Sequence, residues 1–364
     1  MQKAQFVGLK TKMSKFLNNK LSKLDPYVPG EQPKDQKYIK LNTNESPFPP
    51  SKLAIEYATK QASEVMLYPD PDCTELVFEL AKTYSVSPKQ VIVTNGSDEV
   101  LNFAFMCYCD KNTQAIFPDL TYGFYKVFAS LNGAPYKTLP LNSDFTVKID
   151  DYLSEKGVIF LANPNAPTGI ALGLSDIEKI LSSNPNRVVV IDEAYVDFGA
   201  ESAVNLVDKY DNLLVTQTFS KSRSMAGARL GFGIANEKII NDLMLIKYST
   251  NPYNVNKMTA YAGLGALKDR EYFETNCKKI IENREYTEAE LKKLGFTVTD
   301  SKTNFVFAKH DRISGIDLYK KLKERGILVR HFDNPRIVDY NRITVGSFEQ
   351  MQTLINTVKS ILEI

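Results

Sequence analysis

Leu213-Leu-Val-Thr-Gln-Thr-Phe-Ser-Lys-Ser-Arg-Ser-Met-Ala-Gly-Ala-Arg-Leu-Gly-Phe-Gly-Ile-Ala235 decides how the rest of the chain is read. Its two ends, Leu213 to Val215 and Leu230 to Ala235, have the length and composition of strands. Between them runs a small, polar, cationic loop with Lys221, Arg223, Arg229 and three serines. A lone Ser-Lys in a loop is ordinarily a solvated basic turn. A buried lysine there is different, because burial lowers its pKa and frees its amine as a nucleophile or base.

Three upstream segments supply that different context. Arg187-Val-Val-Val-Ile191 ends in Asp192-Glu-Ala-Tyr195, and Gly157-Val-Ile-Phe-Leu-Ala162 runs into Asn163-Pro-Asn-Ala-Pro-Thr-Gly169. Val91-Ile-Val-Thr94 opens into Asn95-Gly-Ser-Asp-Glu99 and a helical pattern. Each is a strand with polar residues at its C-terminal end, where open α/β sheets bind ligands.

In this order, Asn-Pro-Asn-x-Pro-Thr-Gly, Asp-Glu-Ala-Tyr, Ser-Lys and Gly-x-Arg-x-Gly resemble the motifs of the fold-type I pyridoxal-phosphate aminotransferases. Within them the chain is most similar to the histidinol-phosphate aminotransferase group. That narrower likeness rests on Asp25-Pro-Tyr-Val-Pro-Gly30, Leu41-Asn-Thr-Asn-Glu-Ser-Pro47, Tyr68-Pro-Asp-Pro71, Gly96-Ser-Asp-Glu99 and Arg342-Ile-Thr-Val-Gly346. It extends from about residue 24 to the C-terminus.

The bulk properties agree with an ordinary globular enzyme. The 364 residues suit two domains of roughly 100–200 residues each. A 43% hydrophobic and 24% charged composition is ordinary, and a net charge of +2 gives no reason to expect nucleic acid or an acidic membrane. No apolar run approaches the roughly 18–20 residues of a membrane span. Met1 to Lys20 lacks the apolar core of a secretory signal, and Met13 offers an alternative start that leaves residues 1–12 as a dispensable leader. Cys73, Cys107, Cys109 and Cys277 show neither CxxC pairing nor metal spacing, which fits free thiols in a reducing cytoplasm. His310 and His331 stand apart from other ligands and from any nucleophile, against a zinc site or a Ser-His-Asp hydrolase. No metal is expected, and both histidines are expected at strand ends.

From Val91 the pattern alternates strand and helix, predicting an α/β fold with a large, mainly parallel, seven-stranded-type sheet flanked by helices. A smaller α+β domain is expected over 268–364, including one strand over 327–331. The large domain is expected over 46–267, with residues 1–45 as an arm packing with the small one.

The resemblance implies pyridoxal 5'-phosphate as cofactor, which needs a Schiff-base lysine, a partner for the pyridine nitrogen and donors for the phosphate. Lys221 is assigned the Schiff base and the later proton transfer. Asp192 would hold the ring nitrogen protonated, Tyr195 would bond the phenolic oxygen and Tyr122 would stack on the ring. Gly96, Ser97 and Asp98 begin a helix whose first amides would take the phosphate. Ser220 and Arg229 complete that cup, with Gly227 and Gly231 permitting close approach. Many relatives carry Asn directly before Pro-Thr-Gly, where this chain has Ala166. Asn165 is expected to take over the contact with the phenolic oxygen, with Asn163 as the alternative.

Tyr68 would reach the phosphate of a neighbouring subunit in a homodimer with shared sites. Arg342 matches the arginine for a substrate carboxylate, and Arg330, Tyr27, Tyr253 and Asn254 would complete the distal pocket. The implied reaction moves an amino group between L-histidinol phosphate and 2-oxoglutarate, a small-molecule amino donor and a 2-oxo acid, in histidine biosynthesis. Alternatives are an aromatic amino-acid aminotransferase, a threonine-phosphate decarboxylase-like enzyme, or a cofactor-binding regulator without turnover. Residues 1–20 leave no room for the DNA-binding module such a regulator usually carries.

Overall fold

The computed structural model describes residues 13–22 and 24–363; residues 1–12, read above as a leader, lie outside the described residues. The chain opens with a one-turn helix α1 (Asn19–Ser22), a short strand β1 (Ile39–Lys40), and helices α2 (Lys52–Lys60) and α3 (Thr74–Tyr84). Ser51 starts α2 by accepting the Ala54 amide at 3.1 Å, satisfying one of the orphan donors of the first turn. Strand and helix then alternate through β2 (Val91–Thr94), α4 (Ser97–Tyr108), β3 (Ala115–Pro118), α5 (Phe124–Asn132), β4 (Tyr136–Leu139) and α6 (Asp150–Leu153). β5 (Val158–Ala162), α7 (Leu174–Ser183), β6 (Val189–Asp192), β7 (Leu213–Thr218) and β8 (Gly231–Ala235) complete the sheet.

The sheet has seven strands in the order β2-β8-β7-β6-β5-β3-β4, and β8 alone runs against the others. Alternate side chains of β5 enter opposite cores. Ile159 and Leu161 pack with Ile191 and Val215 on one face, and Phe160 packs with Val190 and Leu214 on the other. Phe160 stacks on Phe105 of α4 with ring centres 4.0 Å apart. Helices cover both faces, so these strands read as continuous apolar runs and not as alternating ones. Polar groups are thereby restricted to the strand ends. The parallel strands finish at Thr94, Pro118, Ala162, Asp192 and Thr218 along one edge, and β8 begins there, with Gly231 in register with both Thr94 and Thr218.

Beyond the sheet come α8 (Glu237–Thr250), α9 (Lys257–Lys268), the 24-residue α10 (Arg270–Lys293), β9 (Phe296–Val298), β10 (Phe305–His310) and α11 (Gly315–Glu324). The chain closes with β11 (Ile327–Leu328), β12 (Arg330–His331), β13 (Tyr340–Thr344) and α12 (Phe348–Leu362). β12, β13, β10 and β9 form a second, antiparallel sheet with its own core, in which Val306 and Ile343 pack against Ile280 of α10 and Met351 of α12. One expectation is corrected here. The single strand predicted over 327–331 divides at Val329, because the backbone changes partners. Ile327 and Leu328 pair in parallel with β1, whereas Arg330 and His331 pair antiparallel with Arg342 and Asn341. Arg330 therefore stands directly opposite Arg342. His310 and His331 both end strands, as expected.

Gly231 lets β8 approach the start of α4. A Cβ built on it meets Ser97 N at 2.2 Å and Gly96 C at 2.4 Å, both backbone atoms. Gly227 has no such protein neighbour, since a Cβ there meets nothing within 4 Å. Gly231→Ala is expected to destabilise the chain by about 1–3 kcal/mol, the usual cost of overpacking, while Gly227→Ala stays close to wild type. Urea titrations followed by circular dichroism measure the difference; equal midpoints would show that the α4 turn yields to the added methyl.

Candidate active site

β7 is buried along its length and delivers Phe219, Ser220 and Lys221 directly from its end. The loop that follows closes on itself: the Phe219 amide bonds to the Leu230 carbonyl and the Met225 amide to the Phe219 carbonyl, each at 3.0 Å. The Lys221 amine donates to the Thr43 carbonyl at 3.3 Å and lies 5.7 Å from the centre of the Tyr195 ring. Burial, followed by the cationic Arg342 nearby, brings its pKa down to about 8.

Asp192 ends β6 as a buried carboxyl. It accepts from the Tyr125 hydroxyl at 3.0 Å and the Ala194 amide at 3.2 Å, yet burial still pushes its pKa up to about 6. Tyr195 follows three residues on, and its hydroxyl oxygen accepts from Asn44 Nδ2 at 2.9 Å.

The turn from β2 into α4 needs Gly96, whose φ is +81°. A Cβ on that residue would also meet Arg229 Nη2 at 2.7 Å. Ser97 and Asp98 occupy the first turn of α4, where backbone amides lack helical partners and the helix end is positive. The Asp98 carboxylate is turned to its neighbours, accepting from Arg229 Nη2 at 3.0 Å and from the Tyr122 hydroxyl at 2.7 Å. Arg229 also reaches Ser220 Oγ at 3.5 Å.

Ser97, Asp98, Tyr122, Asp192, Tyr195, Ser220, Lys221 and Arg229 line one cavity. Tyr122, Ala166, Tyr195 and Lys221 also line a second cavity, which extends to Tyr27, Arg330 and Arg342. Tyr27 stacks on Phe124 with ring centres 4.3 Å apart. Arg330 donates to the Val28 and Pro29 carbonyls, each at 3.3 Å, and so holds the segment that carries Tyr27. Arg342 donates through Nη2 to the Asn42 carbonyl at 3.2 Å, while its Nε is buried without a partner among the described residues.

Four expected residues lie elsewhere. Asn165 does not face the cavity: its amide nitrogen donates to the Leu120 carbonyl and Thr168 Oγ1, and its oxygen accepts from Thr121 Oγ1. Asn163 is equally committed, exchanging bonds with the backbone of Leu172. The small Ala166 side chain lines the cavity instead. Tyr253 and Asn254 do not line the distal pocket of their own chain. Asn254 donates to Glu99 on α4, and Tyr253 stacks on Tyr68 with ring centres 4.6 Å apart. Tyr68 is 80% exposed and lines neither cavity.

Sequence reasoning also missed participants. Tyr125 stands one helical turn past Tyr122, a spacing that could have flagged it. Lys126 lines the second cavity, and Asn44 lies in the Leu41–Pro47 motif already singled out. Arg336, which pairs with Asp119 of that cavity's lining, carries no local signal.

The donor set suits a phosphorylated pyridine aldehyde. Ser97, Ser220 and Arg229 offer amides, a hydroxyl and a fixed cation for an anion, and the close contact at Gly231 leaves room for backbone there only. Asp192 offers a buried carboxyl for a protonated ring nitrogen, and Lys221 a depressed amine for the aldehyde.

Comparison with known proteins agrees with this geometry. A histidinol-phosphate aminotransferase of Brachyspira hyodysenteriae is 48% identical over 356 residues, covering 96% of this chain and 100% of that protein. Another from Clostridium acetobutylicum is 47% identical over 351 residues, with 96% and 100% coverage. Among solved structures, histidinol-phosphate aminotransferase from Sinorhizobium meliloti in complex with pyridoxal-5'-phosphate has a TM-score of 0.87 at 21% identity, covering 96% and 100% of the two chains. At that identity the likeness speaks for the fold alone. The profile of the family described as aminotransferase class I and II matches residues 36–358. The chain belongs to the class I and II aminotransferases.

Proposed function

We propose that the chain transfers an amino group between L-histidinol phosphate and 2-oxoglutarate with pyridoxal 5'-phosphate, a step of histidine biosynthesis. The observation that carries the substrate class is the pairing of Arg330 with Arg342 across β12 and β13, in the cavity that also holds Lys221. Two neighbouring guanidiniums repel unless an anion joins them. The phosphate of one substrate and the two carboxylates of the other supply such anions, and Lys126 adds a further cation to the lining of the same cavity.

Pyridoxal phosphate, when bound, supplies an aldehyde for the amino group and a ring that withdraws electrons from the substrate α-carbon. The protein does the rest. Ser97, Ser220 and Arg229 bind the phosphate at the positive end of α4, and Asp98 orients Arg229 for that contact. Asp192 keeps the ring nitrogen protonated, Tyr122 covers one ring face, and Tyr195 donates to the phenolic oxygen. The Lys221 amine holds the aldehyde at rest. Once displaced by substrate, it removes the proton from the α-carbon, a task suited to an amine whose pKa lies near 8. Arg342 takes a substrate carboxylate, and Arg330 with Tyr27 takes the distal anion.

The enzyme works as a cytoplasmic homodimer in this reading. Val65, Met66, Leu67 and Tyr68 form a run of exposed apolar side chains, 60%, 74%, 59% and 80% accessible, of the kind a second copy covers. Tyr68 then serves the partner's phosphate site. The four cysteines are free, in keeping with a reducing compartment. No helix among the described residues is long and apolar enough to cross a membrane.

Lys221→Ala should fold, yet lose both turnover and any attachment of the cofactor that borohydride can fix. Retained fixation at another lysine, located by peptide mapping, would refute the assignment.

Arg330→Ala should raise KM for histidinol phosphate about tenfold to a hundredfold more than KM for an aromatic amino acid, since a charge-assisted bond is worth roughly 1.5–3 kcal/mol. Arg342→Ala should penalise glutamate more than histidinol phosphate, which has no carboxylate. Equal losses on all substrates, or faster wild-type turnover of phenylalanine, would favour an aromatic aminotransferase.

A third prediction concerns pH. The folded Lys221 pKa of about 8 lies below the ordinary 10.5, so between those values the unfolded chain binds the extra proton and stability rises with pH. Lys221→Met lacks that rise. Urea titrations of the cofactor-free proteins should show Lys221→Met ahead at pH 7 and its advantage shrinking towards pH 10.5.

A further inference from the structure

Three consecutive residues of one segment hold three groups of the cavity. The Asn42 carbonyl accepts from Arg342, the Thr43 carbonyl accepts from Lys221, and the Asn44 side chain donates to the Tyr195 hydroxyl. The third of these contacts sets the direction of a proton. The Asn44 backbone N–H donates to Thr344 Oγ1 at 2.9 Å, and the same hydroxyl lies 3.0 Å from Asn44 Oδ1. Having accepted the N–H, the Thr344 hydroxyl gives its own proton to Oδ1. Oδ1 thus faces Thr344, and Nδ2 faces Tyr195. With its oxygen engaged as acceptor, Tyr195 has its own proton left for the cavity it lines.

Asn44 is built into place for this task. It is 1% exposed, its φ of +56° falls in the left-handed region that Asn tolerates, and its carbonyl accepts from Asn304 Nδ2 at 3.0 Å. Among the described residues, no other side chain bonds to the Tyr195 hydroxyl. Ala166 presents a methyl, the Asn163 amide is spent on the backbone of Leu172, and the Asn165 amide is spent on Leu120, Thr121 and Thr168.

We propose that Asn44, oriented by Thr344, is a positioning residue that locks the Tyr195 hydroxyl proton towards the phenolic oxygen of the cofactor. The proposal rests on the role assigned to Tyr195 above. A donor at that oxygen draws negative charge away from it, and so lowers the basicity of the nitrogen joining Lys221 to the cofactor. The charged groups facing Tyr195 are Arg342 of β13, Asp192 of β6, Asp98 of α4 and Lys221, and the Asn44 side chain bonds to none of them, its contacts being with Tyr195 and Thr344.

The experiment is a pH titration of cofactor absorbance in the holoenzyme without substrate. Tyr195→Phe sets the full effect, an upward shift of about one to two units in the pKa of the Lys221 linkage, the equivalent of one charge-assisted hydrogen bond. Asn44→Asp cannot donate and draws the tyrosine proton to itself, so it should reproduce most of that shift. Asn44→Gly keeps the left-handed backbone and frees the hydroxyl, giving a smaller shift in the same direction. Thr344→Val should also raise the pKa, and Thr344→Ser should restore it, a pair that stays informative if Asn44 variants fold poorly. Wild-type titration in the Asn44 and Thr344 variants beside a shifted Tyr195→Phe would overturn the proposal. An unshifted Tyr195→Phe would instead overturn the role of Tyr195, and the proposal with it.

Discussion

Desolvation of charge along one edge of an apolar sheet is the condition on which the rest of this structure depends. β5, β6 and β7 are buried on both faces, so polar groups have only the strand ends to occupy. Asp192 is buried there and Lys221 half-buried, and burial pushes each towards its neutral form, the lysine to about 8 and the carboxyl to about 6. Such groups are costly without partners of opposite charge. The site accordingly favours a ligand that is anionic at one end and cationic in its ring, and a substrate that brings further negative charge to Arg342.

What was legible in the sequence follows from the same condition. Apolar runs ending in Asp192, Asn163 or Ser220 announce a strand and the residue at its tip, so the sheet, Lys221, Asp192 and Arg229 were all visible. The side-chain direction of loop residues was not. Asn165 looked available one position from Ala166, but its loop is clamped from outside. The Lys302 amide bonds to the Gly169 carbonyl at 2.8 Å, and Thr299 Oγ1 bonds to the Thr168 carbonyl at 2.7 Å. With the backbone pinned, the Asn165 amide is directed to Leu120 and Thr121, and the one-residue adjustment that would free it is blocked. The contacts of Tyr253 and Asn254 were illegible for a related reason, since their partners Tyr68 and Glu99 lie more than a hundred residues away in sequence.

Acceptors supplied by the backbone were invisible altogether. The carbonyls of Asn42 and Thr43 hold Arg342 and Lys221 whatever side chains those positions carry. A motif read from side chains therefore marks the segment without revealing its job. The two sheets are joined by similar means: Arg284 of α10 donates to the carbonyls of Phe198 and Thr303, each at 2.8 Å, and Arg336 bonds to Asp119 and the Leu141 carbonyl. The cavity is thus bounded by two separately packed cores, tied in part by arginines to main-chain oxygens and in part by an apolar cluster in which Leu120, Leu141 and Phe145 meet Phe307 and Ile337.

The division of strand at Val329 bears on the order in which the molecule assembles. Among the described residues β1 has no sheet partner other than β11, on the order of 300 residues later in the chain. During synthesis from the N-terminus, the segment that will hold Arg342, Lys221 and Tyr195 has nothing to pair with until most of the protein has been made. The large sheet can form first, with its lysine still hydrated and its tyrosine hydroxyl free to turn. Residues 39–44 are thus among the last to find their places, and the bonds to Arg342, Lys221 and Tyr195 form with the docking of β1 and not with the folding of the large sheet.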